Sequence, residues 1–370
     1  MRDNSTFTPG PWLAAAVLAF AAFGALAKSA SVDEARLAAR TVDRSADANQ
    51  QAGPWWQAFG ESALADLQQA ARARSAAAGP AAAAGSRQMS TQAQVAVAYV
   101  AMRTYSVRWH LALDMRDSLD RQRQILAASA PVASLGDSLA RLDDRRARAD
   151  GFATALLGQR DSAIAALANL TGSTATVLTR DLQAALAIRE MPVFDAQTPE
   201  RLPRSVLMAR RDVSASQGRV ALGRRFSPEA EHQLAIGATS LGGWIEAADA
   251  VRNAAAAPTE SALPDVQDLI DVAAKAETEI SVDLADLQHR TAEAGRLLEV
   301  VKTRQLDVES ARRRTQVGAG SEHDVIRSYQ FLLVSDDELA VAAGELAYAW
   351  VRLQSSTGGQ AIQARGIDED

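Results

Sequence analysis

The residues able to do chemistry are few, and they are badly spaced for it. Four histidines, His110, His232, His289 and His323, are scattered along the chain. None stands four residues from another and no H-E-x-x-H pair occurs, so the helical spacing of metal ligands is missing. There is no cysteine, which excludes disulfides, thiolate metal sites, a thiol nucleophile and a lipid-acceptor thiol. Neither a G-x-S-x-G elbow nor a Walker loop is found. Gly318-Ala319-Gly320 has the first two glycines of a dinucleotide loop, but no strand precedes it and the third glycine is absent, so a turn between helices fits better. Asp143-Asp144 and Asp336-Asp337 are paired carboxylates, yet adjacent residues of a helix point in different directions. They read as solvated faces. The basic runs Arg145-Arg146 and Arg312-Arg313-Arg314 have acids close by and read as solubility. No catalytic, cofactor-binding or metal site is expected, and no enzyme.

The elements that would carry these residues are helical. Of 370 residues 48% are hydrophobic, but only 8 Phe, 6 Trp and 4 Tyr are present. Alanine fills much of the remainder. Alanine contributes little burial and has the highest helix propensity, a composition suited to long helices packed closely side by side. The formal charge of −6 argues against a nucleic-acid partner, which needs a basic face.

Trp12 to Ala27 is an apolar, small-residue run, short for a spanning helix and ending in Ala25-Leu26-Ala27, a cleavage-type A-x-A. The expectation is a signal peptide over 1–27, with an uncleaved anchor or buried helix as the alternative. A polar segment, 28–53, follows. Two tryptophans and a phenylalanine then fall within five residues in "GPWWQAFGESALADL" (53–67), leading into a helix from Ser62. The segment 76–90, with Gly79-Pro80, reads as loop. Helix is expected from Thr91 to Leu170 with a break at 131–136, and again from Asp265 to Gln354 with a break at 318–320. Between them, Gln233–Thr239 alternates as one short strand. A polar tail, 361–370, closes the chain.

The two helical regions repeat. "PVASLGDSLAR" (131–141) parallels "VGAGSEHDVIR" (317–327), each between two arms, and each copy ends in Thr-Gly (171–172 and 357–358). Superposing Ser134 on Ser321 places Asp137 on Asp324 and Arg103 on Arg290. The second arms carry heptads: Val325, Leu332, Leu339, Leu346 and Leu353 in one, and Leu142, Ala149, Leu156, Ala163 and Leu170 in the other. Sustained heptads indicate a coiled-coil seam. The fold class expected is mainly α, with long antiparallel coiled-coil hairpins in two pseudo-repeats (54–190 and 191–360) and a reduced or vestigial β-strand region.

With these features in place, the chain resembles the TolC-like outer-membrane efflux proteins, and within them the outer-membrane factors of resistance–nodulation–division pumps. Trp55-Trp56-Gln57-Ala58-Phe59-Gly60-Glu61-Ser62-Ala63-Leu64 matches their W-W-x-x-F-x-D-x-x-L opening, with Glu61 in place of Asp. Leu202-Pro203 through Arg210-Arg211-Asp212-Val213 matches their L-P-x-x-L-L-x-x-R-P-D-V, with Arg211 for proline and Ser216 for the Glu that follows. "QLAIGATSLGG" and "LQSSTGG" match the family's strand and terminal turn. The resemblance implies an exported component of a tripartite pump, a homotrimer in the outer membrane partnered by a periplasmic adaptor and an inner-membrane pump. It implies a passive exit duct without cofactors. It also makes Trp55, Trp56 and Phe59 a staple holding the N-terminal segment to the helices. At the tip, where the family has D-A-Q-R, this chain has Arg327-Ser328-Tyr329-Gln330. The candidate aperture residues are therefore Asp137, Arg141, Asp324, Arg327 and Gln330. About twenty residues (68–90) stand where the family has a long helix and two strands. An incomplete barrel without stable conductance is thus expected, because lipid tolerates no unpaired strand edge. The alternative function is a non-conducting periplasmic coiled-coil scaffold.

Overall fold

A computed structural model describes residues 54–77, 90–129, 136–191, 206–207, 210–222 and 263–358. The signal run, the polar segment, the strand at 233–239, the C-terminal tail, most of the break at 131–136 and 78–89 of the expected loop lie outside them, while Ala76 and Ala77, expected in that loop, belong to a helix. Among the described residues every regular element is helical. A 3-10 turn, Trp55–Phe59, leads into α1 (Ser62–Ala77). The long helices α2 (Thr91–Ser129) and α3 (Gly136–Thr171) form one hairpin. Short helices α4 (Ala175–Asp181) and α5 (Gln183–Ala187) follow, then α6 (Arg211–Leu222). The second hairpin is α7 (Leu263–Gln316) and α8 (Glu322–Ser356).

Local chemistry sets these boundaries. Ser321 opens α8 with a capping box, its hydroxyl accepting from the Asp324 amide while the Asp324 carboxylate accepts from the Ser321 amide. That arrangement satisfies two orphan donors of the first turn. Both hairpins stop in the same way. Thr171 and Thr357 are buried and bond carbonyls of their own last turns, and Gly172 (φ 81°) and Gly358 (φ 77°) take the left-handed conformation that glycine adopts without strain.

The hairpins lie side by side through α2 and α8, giving the spatial order α3, α2, α8, α7; α1 lies on α2 and α3, and α6 lies on α7. Ion pairs fix the direction of the second hairpin. Arg121 near the end of α2 meets Glu322 at the start of α8 at 2.6 Å, and Arg123 meets Asp143 of α3 at 2.7 Å. The end of α2 and the starts of α3 and α8 therefore lie at one end of the row, here called the turn end, and the C-terminal ends of α3 and α8 at the other. With 39 residues α2 is about 58 Å long.

The seven-residue rhythm of α8 is present, with Leu353 of the expected column fully buried but the four residues before it displaced by one from the most buried column. Ile326, Leu333, Ala340, Ala347 and Gln354 form the buried column, whereas Val325, Leu332, Leu339 and Leu346 are only half buried beside it. A second heptad column, Ser335, Ala342 and Ala349, is buried too. Small side chains here bring α2 and α8 close together. The tightest point is Gly344, where an added Cβ would stand 2.6 Å from Thr104 Oγ1. In α2 the residues from Met102 to Arg108 are all buried, so at this height the helix is enclosed on every side.

Gly344→Ala should therefore force α2 and α8 apart and destabilise the chain by about 1–3 kcal/mol, measured by denaturant unfolding. Adding Thr104→Ala, which removes the clashing atoms, should restore most of the loss.

Candidate functional site

Two regions collect the residues singled out by sequence: the aromatic segment at the end where the hairpins stop, and the turn end of the row. In the first, Trp55, Trp56 and Phe59 are all buried. The two indoles meet edge to face at 5.6 Å, and the Arg72 guanidinium of α1 covers Trp56 at 4.5 Å. Gly60, with φ 63°, turns the chain into α1. This places Glu61 beside α2. Its carboxylate accepts from Tyr99 Oη at 2.5 Å and lies 3.5 Å from Arg103 Nε. Burial, and then the bond to Glu61, push the Tyr99 phenol well above its ordinary range.

Arg103 is fully buried. Its two terminal nitrogens donate to the Ala185 carbonyl, to Ile188 O at 3.1 Å and to Glu190 O at 2.7 Å, while Nε faces Glu61 as an ion pair without a hydrogen bond. One guanidinium thus joins the start of the described chain, the middle of α2 and the segment leaving α5. Spacing alone did not reveal this residue. The available signal was a lone arginine in the otherwise apolar and hydroxylic run from Val95 to Val107. Its repeat counterpart Arg290 is partly exposed and pairs with Glu345 at 2.5 Å, so the two hairpins use the aligned arginine differently.

The second motif has a comparable role. Arg210 forks onto Asp212 (3.0 and 2.7 Å), reaches Glu279 of α7 at 2.8 Å and donates to Ser356 O at 3.1 Å. It thereby ties the start of α6 to α7 and to the C-terminus of α8. Burial opposes ionisation of Asp212, but the Arg210 fork outweighs it and holds the carboxyl below its ordinary range. Ser216 is buried and donates to Asp268 at 2.8 Å.

At the turn end the candidate residues do not form one cluster. Asp137 sits exposed in the first turn of α3, and Arg141, also exposed, donates to Ser138 at 3.1 Å. Asp324 completes the capping box that Ser321 opens at the start of α8, and its bonds to Ser321 hold its carboxyl below the usual range. Arg327 is exposed and lies 5.9 Å from the Phe331 ring, which Arg304 of α7 approaches at 5.6 Å from its own helix. Gln330 is the exception. It is buried, donating to Gln122 at 3.0 Å and accepting from Arg145 of α3 at 3.2 Å.

The carboxylate pair Asp336-Asp337 is not the solvated face expected. Asp337 accepts a bidentate fork from buried Arg108 at 2.7 and 3.0 Å. Asp336 is half buried, and desolvation pushes it up to about 6. Among the described residues no group of acids, histidines and cysteines could hold a metal ion. None of the described helices is long and apolar enough to cross a membrane.

No family model matches the chain, and no curated protein matches it. Solved structures do. The outer-membrane channel OprN aligns over 80% of this chain and 70% of its own, with a TM-score of 0.51 and 18% identity. CusC, whose structures concern folding and transmembrane channel formation, aligns over 95% of this chain and 96% of its own, with a TM-score of 0.52 and 15% identity. At such identities the likeness establishes the fold. The helical fold expected from the TolC-like resemblance is the one found.

Arg103→Met should leave Glu61 without its opposite charge and three backbone carbonyls without their donor, and cost about 3–5 kcal/mol in an unfolding titration, with residues 54–77 becoming sensitive to protease first. Asp336→Asn tests the raised carboxyl. A folded-state value above the unfolded one makes the group's contribution most favourable at low pH, and that contribution is lost as pH rises through about 6. The Asn variant should be more stable than the parent by roughly 1 kcal/mol at pH 8, allowing for solvent screening of a half-exposed group, and no more stable at pH 4.

Proposed function

We propose that the chain is an outer-membrane efflux component, built on the passive exit duct of a tripartite export pump but degenerate in its strand region, that works as a homotrimer with a periplasmic adaptor and an inner-membrane pump. The observation that supports this most directly is the open row of helices. Its order leaves α3 and α7 as edges, each in extended contact with one long neighbour rather than two. Apolar side chains remain exposed on this row: Phe152 on α3, Val282, Leu298 and Leu306 on α7, and Phe331 and Val334 on α8. A four-helix layer with two free edges closes by joining its own copies edge to edge, because a cyclic assembly pairs one edge with the other until rotation is complete. Three copies would give a twelve-helix tube around a lumen. The likeness in fold to the outer-membrane channel OprN and to CusC supports a channel-type assembly of this row.

In this reading the hairpin repeats span 54–190 and 191–360, the signal over 1–27 exports the chain, and the turn end forms the periplasmic aperture. Asp137, Arg141, Asp324, Arg327 and Gln330 would stand around its rim. The aromatic staple Trp55, Trp56 and Phe59 would keep the N-terminal segment on the outside of the tube. No residue is assigned a catalytic part, since transport through a duct draws its energy from the pump.

The test is fractionation followed by sizing. The protein should sediment with outer membranes and, after detergent extraction, run as a trimer in multi-angle light scattering. Leu306→Glu, on the α7 edge, should shift it toward monomer while leaving its helical circular dichroism unchanged. A soluble periplasmic monomer in the wild type would overturn the duct and favour the coiled-coil scaffold instead.

A further inference from the structure

We propose that the turn end of the row carries a proton-operated latch, in which neutral His323 fastens the first turns of α8 to α2 and protonation of its ring releases them. The contacts form a chain of four side chains on three helices. Arg145 Nη2 of α3 meets Gln330 Oε1 at 3.2 Å, Gln330 Nε2 meets Gln122 Oε1 at 3.0 Å, and Gln122 Nε2 meets His323 Nε2 at 3.0 Å.

The direction of this chain follows from its first member. A guanidinium donates and never accepts, so the Gln330 atom facing Arg145 must be the carbonyl oxygen. The Gln330 amide nitrogen then faces Gln122, whose oxygen must accept, and this leaves the Gln122 nitrogen to donate to His323. His323 Nε2 must therefore be the unprotonated nitrogen, with its proton on Nδ1. Imidazolium has donors at both nitrogens. Protonation would set two N–H groups against each other across 3.0 Å, and the chain cannot reverse to relieve this while Arg145 holds its far end. Gln330 is buried and cannot turn to water, Gln122 is half buried, and His323 meets Gln122 at the surface.

Other charged groups around His323 are, on its own helix, Glu322, Asp324 and Arg327. On α2 they are Arg121, paired with Glu322, and Arg123, paired with Asp143 of α3; on α7 there is Arg314, which acts on Asp324. Arginines keep their charge at all working pH values. Histidine is the side chain suited to change charge between pH 5 and 8. Asp336, pushed up to about 6 by desolvation, lies thirteen residues further along α8 and needs its own control.

Hydrogen exchange on the full-length protein in detergent, corrected for the intrinsic pH dependence of the amide rates, reads the latch directly. Between pH 7.5 and 5.5 the amides of 326–333 and 118–126 should lose about fivefold protection, while those of 345–353 hold theirs. His323→Gln, whose amide can accept or donate, should stay protected at both pH values, and His323→Lys should be unprotected at both. Arg145→Met is the decisive variant. With the fixed donor gone, the two glutamines can turn round and accept from the imidazolium, so the acid response should vanish although His323 is intact. Asp336→Asn should keep the response. The proposal is overturned if the wild type shows no acid response, if Arg145→Met retains it, or if Asp336→Asn removes it. None of these outcomes depends on whether the chain conducts or assembles as a duct.

Discussion

A single guanidinium ties together the end of the molecule where the hairpins stop. Arg103 lies wholly out of water, and a charge in that position is tolerable only if its donors are matched. Glu61 supplies the opposite charge, and the carbonyls of Ala185, Ile188 and Glu190 supply acceptors. The requirement runs both ways. The aromatic segment must be seated for Glu61 to arrive, and the segment after α5 must curl back for its carbonyls to face inward. The dense packing of α2 between Met102 and Arg108 follows from this, because elements drawn to the guanidinium from several directions enclose the helix that bears it. Arg210 repeats the device at the base of the second hairpin, where one side chain meets α6, α7 and the end of α8.

Helix content and the turn positions were legible in the sequence because they depend on local chemistry. Ser321 with Asp324 is a cap wherever it occurs, and Gly172 and Gly358 end helices by a conformation other residues resist. The heptads were legible as period, and in the first hairpin as phase, since Leu142, Leu156 and Ala163 are buried; in α8 the phase was only partly legible. Val325 and its successors are the bulky residues and so looked like the seam, yet the column that is buried is the one containing Ala340 and Ala347, since close approach of α2 at Gly344 leaves room only for small side chains. Which column faces in is a property of the neighbour, and no single helix encodes it. Asp336 and Asp337 failed for the same reason. Adjacency showed that they diverge, but only the position of Arg108 on another helix decides which of them is paired.

The candidate site divided similarly. The aromatic staple was readable because three large rings in an aromatic-poor chain need a burial site, and the motif resemblance gave the segment a place. The tip residues were chosen by their position after a turn. Asp324 proves to be spent on its own helix cap, and Gln330 is packed inside rather than displayed. Gln122, Arg145 and His323 carry no spacing signal at all. They are far apart in the chain, and they come together only because two hairpins share one direction.

The positions of the anchors also give the row a mechanical character. Buried Arg103, aromatic packing and the flanking helices α1 and α6 grip one end, Gly344 against Thr104 is a close crossing, and the Arg108–Asp337 fork sits just on its turn side. Beyond that crossing toward the turns, α8 runs 22 residues to Glu322, about 33 Å. Over that span the described contacts become increasingly polar and exposed. The geometry is that of a lever with its fulcrum near Thr104. A tilt of about three degrees at the fulcrum moves the far tip by about 2 Å, enough to break a hydrogen bond there without disturbing a single buried contact at the gripped end.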